Sequence, residues 1–97
     1  MKINLTDGTA EINEPIAPFK YFVVTIKPAI ETPITICFGK TSCSFLIKDS
    51  VQIDLDFDSQ VDCLSVKTDK LIKEVTIDFF DDKEGFNMNK KPFQNRS

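Results

Sequence analysis

The stretch VQIDLDF, residues 51–57, alternates apolar and polar side chains without exception. Successive side chains of a β-strand point to opposite faces, so this period of two predicts a strand with one face towards a core and one towards water. The two sets are inward Val51, Ile53, Leu55 and Phe57, and outward Gln52, Asp54 and Asp56. The segment EVTIDFFDD, residues 74–82, repeats the pattern with Val75, Ile77 and Phe79 on one face.

Other segments favour strands separated by short turns. Residues 19–27, FKYFVVTIK, are apolar on both parities, so we expect a strand buried on one face and partly covered on the other. TDGT predicts a turn because Asp-Gly tolerates positive φ, and NEPIAP predicts an extended loop because proline cannot donate to a sheet ladder. The remaining strand candidates are residues 1–5, 34–40, 44–49 and 61–68.

About seven strands at short, regular spacing, with no stretch of helical period, predict an all-β protein. The expected fold is a single antiparallel β-sandwich, either a jelly roll or an immunoglobulin-like sandwich. A chain of 97 residues makes one domain, which we place at residues 1–85, with a C-terminal tail at 86–97. The expected inward residues are Val23, Ile36, Leu46, Ile53, Leu55, Leu64, Val66, Val75 and Ile77.

The aspartates at 54, 56 and 58 have three possible roles: a metal site, an imitation of a phosphate backbone, or a solvated strand face. Alternate residues of a strand lie about 6.7 Å apart, too far for two carboxylates to bind one calcium ion unless the chain folds back. DLDFDS begins like an EF-hand loop, but Ser59 stands where that loop needs glycine and Ser65 where it needs glutamate. Imitation of a phosphate backbone is disfavoured, because DNA presents about one charge per 1.7 Å of its axis, which is far denser than the charges along this strand. The solvated face is the favoured interpretation, and a calcium site involving Asp62, Asp81 or Asp82 remains the alternative.

The chain has three cysteines, Cys37, Cys43 and Cys63, and no histidine. A structural zinc site normally needs four cysteine or histidine ligands, so free thiols are expected, with a Cys37–Cys43 disulfide left open. Without histidine the usual general base near neutral pH is absent, and there is no phosphate-binding or nucleophile motif. We therefore predict a protein that is not an enzyme, with no catalytic residue, no cofactor and no bound metal.

Charge is distributed unevenly along the chain. Residues 49–85 hold 11 acids and 4 lysines, a net charge of −7, whereas the other residues have a net charge of +4. This acidic bias argues against binding to nucleic acid or to an anionic membrane surface. The N-terminal sequence MKINLTDGTAEINEP has no apolar run after its lysine, so we expect no secretion signal.

Residues 38–81 resemble small β-rich structural proteins of bacteriophage virions. The similarity lies in a loop of small polar residues followed by an LSVKT strand, Leu64 to Thr68, and a closing VTIDF strand, Val75 to Phe79. The resemblance implies a decoration, fibre or tail-associated role, in a domain that self-associates and docks on a shell, and it implies no catalytic residue. The chain departs from such proteins in having only three glycines.

The tail is the candidate interface. It has three cations and no acid after Gly85, and its candidate contact residues are Phe86, Met88, Lys90, Lys91, Phe93 and Arg96. We expect a homo-oligomer in which these side chains meet the acidic 49–85 face of a neighbour, with another structural protein as second partner. The expected location is the virion or the host cytoplasm. The alternatives are a ligand-binding or adhesion β-module and a small acidic inhibitor of a nucleic-acid enzyme.

Overall fold

In the computed structural model, which describes residues 1–81, every regular element is a β-strand. The predicted strand type is therefore confirmed. The strands expected at 34–40, 44–49 and 61–68 begin or end two or three residues away from those bounds, and the short strand at residues 9–12 is an addition to the prediction. The strands of this part of the chain are β1 (Lys2–Asn4), β2 (Thr9–Ile12), β3 (Phe19–Lys27), β4 (Thr32–Phe38), β5 (Thr41–Ile47), β6 (Ser50–Phe57), β7 (Leu64–Thr68) and β8 (Glu74–Phe80).

The strands form two antiparallel sheets of four. Sheet A has the order β1-β8-β3-β6, and sheet B has the order β2-β7-β4-β5. The chain changes sheet at every connection except the hairpin between β4 and β5. This confirms the antiparallel sandwich. The order is that of a jelly roll, because an immunoglobulin-like domain keeps its first two strands in one sheet and here they lie in different sheets.

Two turns depend on residues with positive φ. In TDGT, Asp7 has a φ of 55° and Gly8 a φ of 75°, and the flanking threonines exchange two backbone hydrogen bonds of 2.9 and 3.0 Å. Positive φ at both central residues is the geometry that favours Asp-Gly. Gly39, with a φ of 63°, supplies the turn between β4 and β5. The predicted turn at TDGT is therefore confirmed.

The core lies between the sheets and is rich in phenylalanine. Phe19 is its centre, with ring centroids of four other phenylalanines 4.8 to 5.9 Å away, and packed rings at these separations stabilise a core beyond the area they bury. These neighbours are Phe22, Phe38, Phe57 and Phe79. Of the predicted inward residues, five are fully buried in this core: Ile36, Leu64, Val66, Val75 and Ile77.

Two predicted core residues lie elsewhere. Val23 lies on the outer face of sheet A, between the exposed cross-strand partners Gln52 and Asp78, because the β3–β6 register shifts between Phe19 and Tyr21. Leu46 is 64% exposed, since the inward side chains of β5 have the other parity. Ile53 and Leu55 do point inward, but they are only half-buried because β6 is an edge strand of sheet A.

Candidate interaction site

The outer face of sheet A carries two aspartates of the row together with one more carboxylate, and the third member of the row, Asp58, is exposed just after the end of β6. Asp54 and Asp56 are exposed on β6, and Asp78 is exposed on β8, two strands away in the sheet. We call these three residues the acidic face. Their exposure agrees with the favoured interpretation of a solvated strand face, and the strand order adds Asp78 to it.

Each carboxylate of the acidic face has a polar neighbour. Asp56 lies 3.5 Å from the Lys20 ammonium, and Asp78 lies 3.9 Å from the N-terminal ammonium of Met1. The Gln52 side-chain amide donates a hydrogen bond of 3.2 Å to Asp54. Ion pairs in this exposed setting contribute little to stability, about 0 to 1 kcal/mol each. The acidic face therefore adds little to the stability of the fold.

The geometry of the described residues gives a metal ion no obvious site. Within residues 1–81, no three Asp, Glu or Cys side chains are grouped so that they could hold a metal ion. The outward aspartates of β6 stand on alternate positions of an extended strand, as the pattern of exposure shows. Calcium needs six to eight oxygens at 2.3 to 2.6 Å, which separate outward side chains do not provide.

We predict that replacing both Asp54 and Asp56 with asparagine changes the free energy of unfolding by no more than about 0.5 kcal/mol per site, because both residues are exposed. Calcium should leave the melting temperature of the parent protein unchanged. Thermal unfolding of dilute protein with added calcium or with a chelator tests both statements. A rise of several degrees in calcium that the substitutions abolish would instead establish a metal site.

Next to the acidic face lies an aromatic pair, Tyr21 and Phe80. Their rings are stacked, with centroids 5.0 Å apart and an interplanar angle of 12°. Tyr21 pairs with Phe80 on one side and with Asp54 on the other, so an acid and two rings stand side by side across three strands. Tyr21 has no exposed surface, and Phe80 is half-buried. The outer face of sheet A therefore combines negative charge with the exposed part of the Phe80 ring.

Two shallow hollows lie at the end of the sandwich where β6 and β8 finish. They have volumes of about 350 and 310 Å³ and share Ala17, Pro18, Phe19 and Asp81 in their walls. The prolines of the 13–18 loop and the backbone pairing of Ile16 with Val61 hold this loop over the core end. The hollows are mostly apolar, and they lie next to the point where residues 82–97 continue the chain.

The cysteines are free thiols in this structure. Cys37 and Cys43 lie on neighbouring strands with Ser42 and Ile36 as their respective cross-strand partners, so they are not directly opposite each other. Burial raises the pKa of the Cys43 thiol, which keeps it protonated near neutral pH and weakens it as a nucleophile. The Cys37–Cys43 disulfide, which the sequence neither predicts nor excludes, is thus not formed.

The outer face of sheet B differs from the acidic face in having small, uncharged side chains along β4 and β5. Ser44 and Thr35 are opposite each other and share a hydrogen bond of 2.9 Å between their hydroxyl oxygens. Pro33 is opposite the exposed Leu46, which extends an apolar corner to the edge of the sheet. The two sheets therefore present chemically different surfaces.

The predicted interface residues of the tail, Phe86, Met88, Lys90, Lys91, Phe93 and Arg96, lie outside the described residues. The sequence shows the aspartate row but not the aromatic pair. The alternation of 74–82 was visible, yet the pairing of Phe80 with Tyr21 depends on strand order and on the irregular register of β3. The described part of the chain has no helix long and apolar enough to cross a bilayer.

Comparison with known proteins gives one weak structural similarity. No protein-family model matches the chain, and no curated protein sequence is significantly similar to it. The solved C-terminal domain of A223, a structural protein from Sulfolobus turreted icosahedral virus (STIV), is similar over 77% of this chain and 96% of that domain. The sequence identity is 15% and the TM-score is 0.34. A similarity this weak transfers neither partners nor function to the present chain.

Proposed function

We propose that this protein is a non-enzymatic structural component of a virion, which self-associates through residues 86–97 and docks on a larger structural protein. The observation that carries the self-association is the outer face of sheet A, where Asp54, Asp56 and Asp78 stand beside the Tyr21–Phe80 pair. The tail has the complementary chemistry, because it contains cations and phenylalanines and no acid.

Electrostatics provides the first step of this proposal. Lys90, Lys91 and Arg96 of one copy are attracted to the acidic face of another, and such exposed charges act mainly on the rate of encounter. Salt at physiological concentration screens charges beyond about 8 Å, so this contribution depends on ionic strength. Charge therefore selects the surface that the tail approaches.

Aromatic contact provides the second step. Phe86 and Phe93 are the tail side chains with the largest apolar area, and aromatic anchors account for much of the energy of typical interfaces. Phe80 is half-buried and stacks on Tyr21, which in turn lies opposite Asp54, so an arriving phenylalanine can contact the exposed part of the Phe80 ring near the carboxylate that attracts its lysine neighbours. Buried rings then limit dissociation, which salt affects less.

The virion role is supported by the sequence resemblance to phage structural proteins and by an analogy of fold. Jelly rolls occur in viral capsid and lectin domains and in cupins, so the fold is compatible with the role without deciding it. An exchange of tails between identical copies gives a closed ring or a two-fold dimer as the default assembly. That the protein is a component of a phage and that its second partner is a shell protein are both parts of this proposal.

The proposal predicts an oligomer at micromolar concentration that Phe93→Ala or removal of residues 86–97 weakens. High salt should slow assembly more than it loosens the finished oligomer, for the reasons given above. Sedimentation velocity at low and high salt measures the assembly state, and mixing kinetics measure the rate. Gln94→Ala, which changes the neighbouring side chain of the tail without removing an aromatic anchor, is the matched control.

The possible results separate the parts of the proposal. A protein that is monomeric at every concentration contradicts self-association. An oligomer that is indifferent to Phe93→Ala and to the truncation contradicts the docking tail and places the contact between copies on the sandwich itself. Weakening by Gln94→Ala to the same extent as by Phe93→Ala contradicts the role of the aromatic anchor.

A further inference from the structure

Strand β5 forms a long open edge of sheet B. In the part of the chain that the structure describes, β5 pairs only with β4, through seven consecutive residue pairs without a shift in register. The strand, TSCSFLI, contains neither a charged residue nor a proline. Its other side offers a straight row of backbone donors and acceptors, which is a template for a further strand.

The other three sheet edges of the described residues are protected in ways that natural proteins use against such pairing. β1 and β2 are short, with three and four residues. β6 carries Asp54 and Asp56, and its ladder with β3 is irregular. The absence of protection is therefore specific to β5.

The core is also incompletely covered along the flank formed by β5 and β6. Phe45 of β5 and the inward residues of β6 are half-buried, whereas Ile34, Ile36 and Phe38 of the neighbouring β4 are fully buried. On the outer side of the same edge, Leu46 is 64% exposed. An additional strand beside β5 would remove apolar surface from water on both faces of sheet B.

We propose that the β5 edge pairs with the β5 edge of a second copy of this chain, in an antiparallel arrangement about a two-fold axis. This inference rests on the proposed self-association and assigns it an interface that does not involve the tail. The two sheets B then join into one continuous sheet of eight strands across the dimer.

A second copy fits this edge because the edge is self-complementary. In antiparallel pairing centred on Ser44, outward Ser44 faces Ser44 of the second copy and outward Ser42 faces Leu46, while inward Cys43 faces Phe45. No pair within Thr41–Ile47 then brings like charges together, and the flanking Lys40 and Lys48 face each other only beyond the ends of the strand. The acidic face, by contrast, would bring the same carboxylates of two copies together, although Asp56 and Asp78 each have a cation of their own chain nearby.

A charge exchange at Ser44 tests the pairing in the full-length protein. Ser44→Lys and Ser44→Asp each place two like charges opposite each other at the axis, and each should raise the dimer dissociation constant about fivefold or more. An equimolar mixture of the two variants should restore association, because lysine then faces aspartate. Asn13→Lys is the control, since it adds the same charge at an exposed loop position outside both proposed interfaces.

Sedimentation equilibrium on the separate variants, their mixture, Asn13→Lys and Phe93→Ala distinguishes this interface from the docking tail. Recovery in the mixture with no effect of Phe93→Ala supports the β5 pairing and contradicts the tail. Weakening by Phe93→Ala with no effect of either Ser44 variant supports the tail and overturns the β5 pairing. Variants that weaken association but do not recover on mixing also overturn it, and a monomeric parent protein overturns both interfaces. Unchanged melting temperatures of the variants confirm that folding is intact.

Discussion

Replacing Ile77 with alanine should lower the free energy of unfolding by about 2 to 5 kcal/mol, the range for deleting a large aliphatic side chain from a packed core. Ile77 has no exposed surface and lies in β8, between β1 and β3 in sheet A. Its cross-strand partner Val24 is also fully buried, so a cavity left here has little room to collapse. Urea denaturation followed by far-ultraviolet circular dichroism measures the change.

Ile30→Ala is the matched control, because it removes the same atoms from a side chain that is 37% exposed in a loop. We expect a markedly smaller loss at this position, since less apolar surface returns to water. Equal losses at the two positions would contradict the placement of Ile77 in the core. Both variants and the parent must be compared at one protein concentration, because self-association would add to the apparent stability.

Replacing Gly8 with alanine should cost about 2 to 5 kcal/mol, by combining backbone strain with a steric clash. Its φ of 75° lies in the left-handed region, which side chains other than glycine rarely adopt. A β-carbon at this position would stand 2.4 Å from the carbonyl oxygen of Thr68, which is backbone and cannot turn aside. The carbonyl oxygen of Gly8 accepts a hydrogen bond of 2.8 Å from the Thr68 amide. The clash therefore also disturbs the contact between this turn and the end of β7.

Gly39→Ala separates the two causes. Gly39 also has a positive φ, of 63°, but a β-carbon there would meet no atom within 4 Å. This variant should therefore show the strain alone, about 1 to 2 kcal/mol. Thermal unfolding of both variants measures the two losses of stability. A loss for Gly39→Ala as large as that for Gly8→Ala would show that the clash does not contribute to the destabilisation.

The sequence predicts strands well where the alternation is regular. In β6 and β8 a period of two alone assigns the faces, because the outward positions are polar as far as Asp56 and Asp78 and the inward positions are apolar. The Asp-Gly turn is equally local, since positive φ at adjacent residues restricts the choice of side chains. These features depend on neighbours along the chain, which is why they can be recognised without a structure.

Features that depend on distant residues could not be predicted in this way. The parity of β3 changes at an irregularity between Phe19 and Tyr21, in a segment that is apolar on both parities, so the sequence misplaces Val23. Leu46 follows an equally ambiguous run, SFLI, and lies on the exposed side. In both cases hydrophobicity alone does not say which face is inside.

The same limit applies to the candidate site. The aspartates of β6 are visible as a row, but their combination with Asp78 and with the Tyr21–Phe80 pair depends on the order β8-β3-β6. Whether a strand is an edge is likewise a property of the sheet, so the open side of β5 was not predictable from TSCSFLI. The interface residues proposed in the tail stay a prediction.

The pairing of β1 with β8 has a consequence for how the chain folds. Lys2 lies opposite Thr76 and Asn4 opposite Glu74, so this pairing closes a loop that includes nearly the whole described chain. Closing this long loop costs conformational entropy before the contacts between β1 and β8 can offset that cost. The β4–β5 hairpin, by contrast, closes a loop of only two residues. We expect the hairpin to form early and sheet A to be completed late, because the hairpin closes at a much lower cost in entropy. Topologies dominated by distant pairings fold in about milliseconds to seconds, and throughout that interval the uncharged β5 edge, part of the early hairpin, is exposed to other chains.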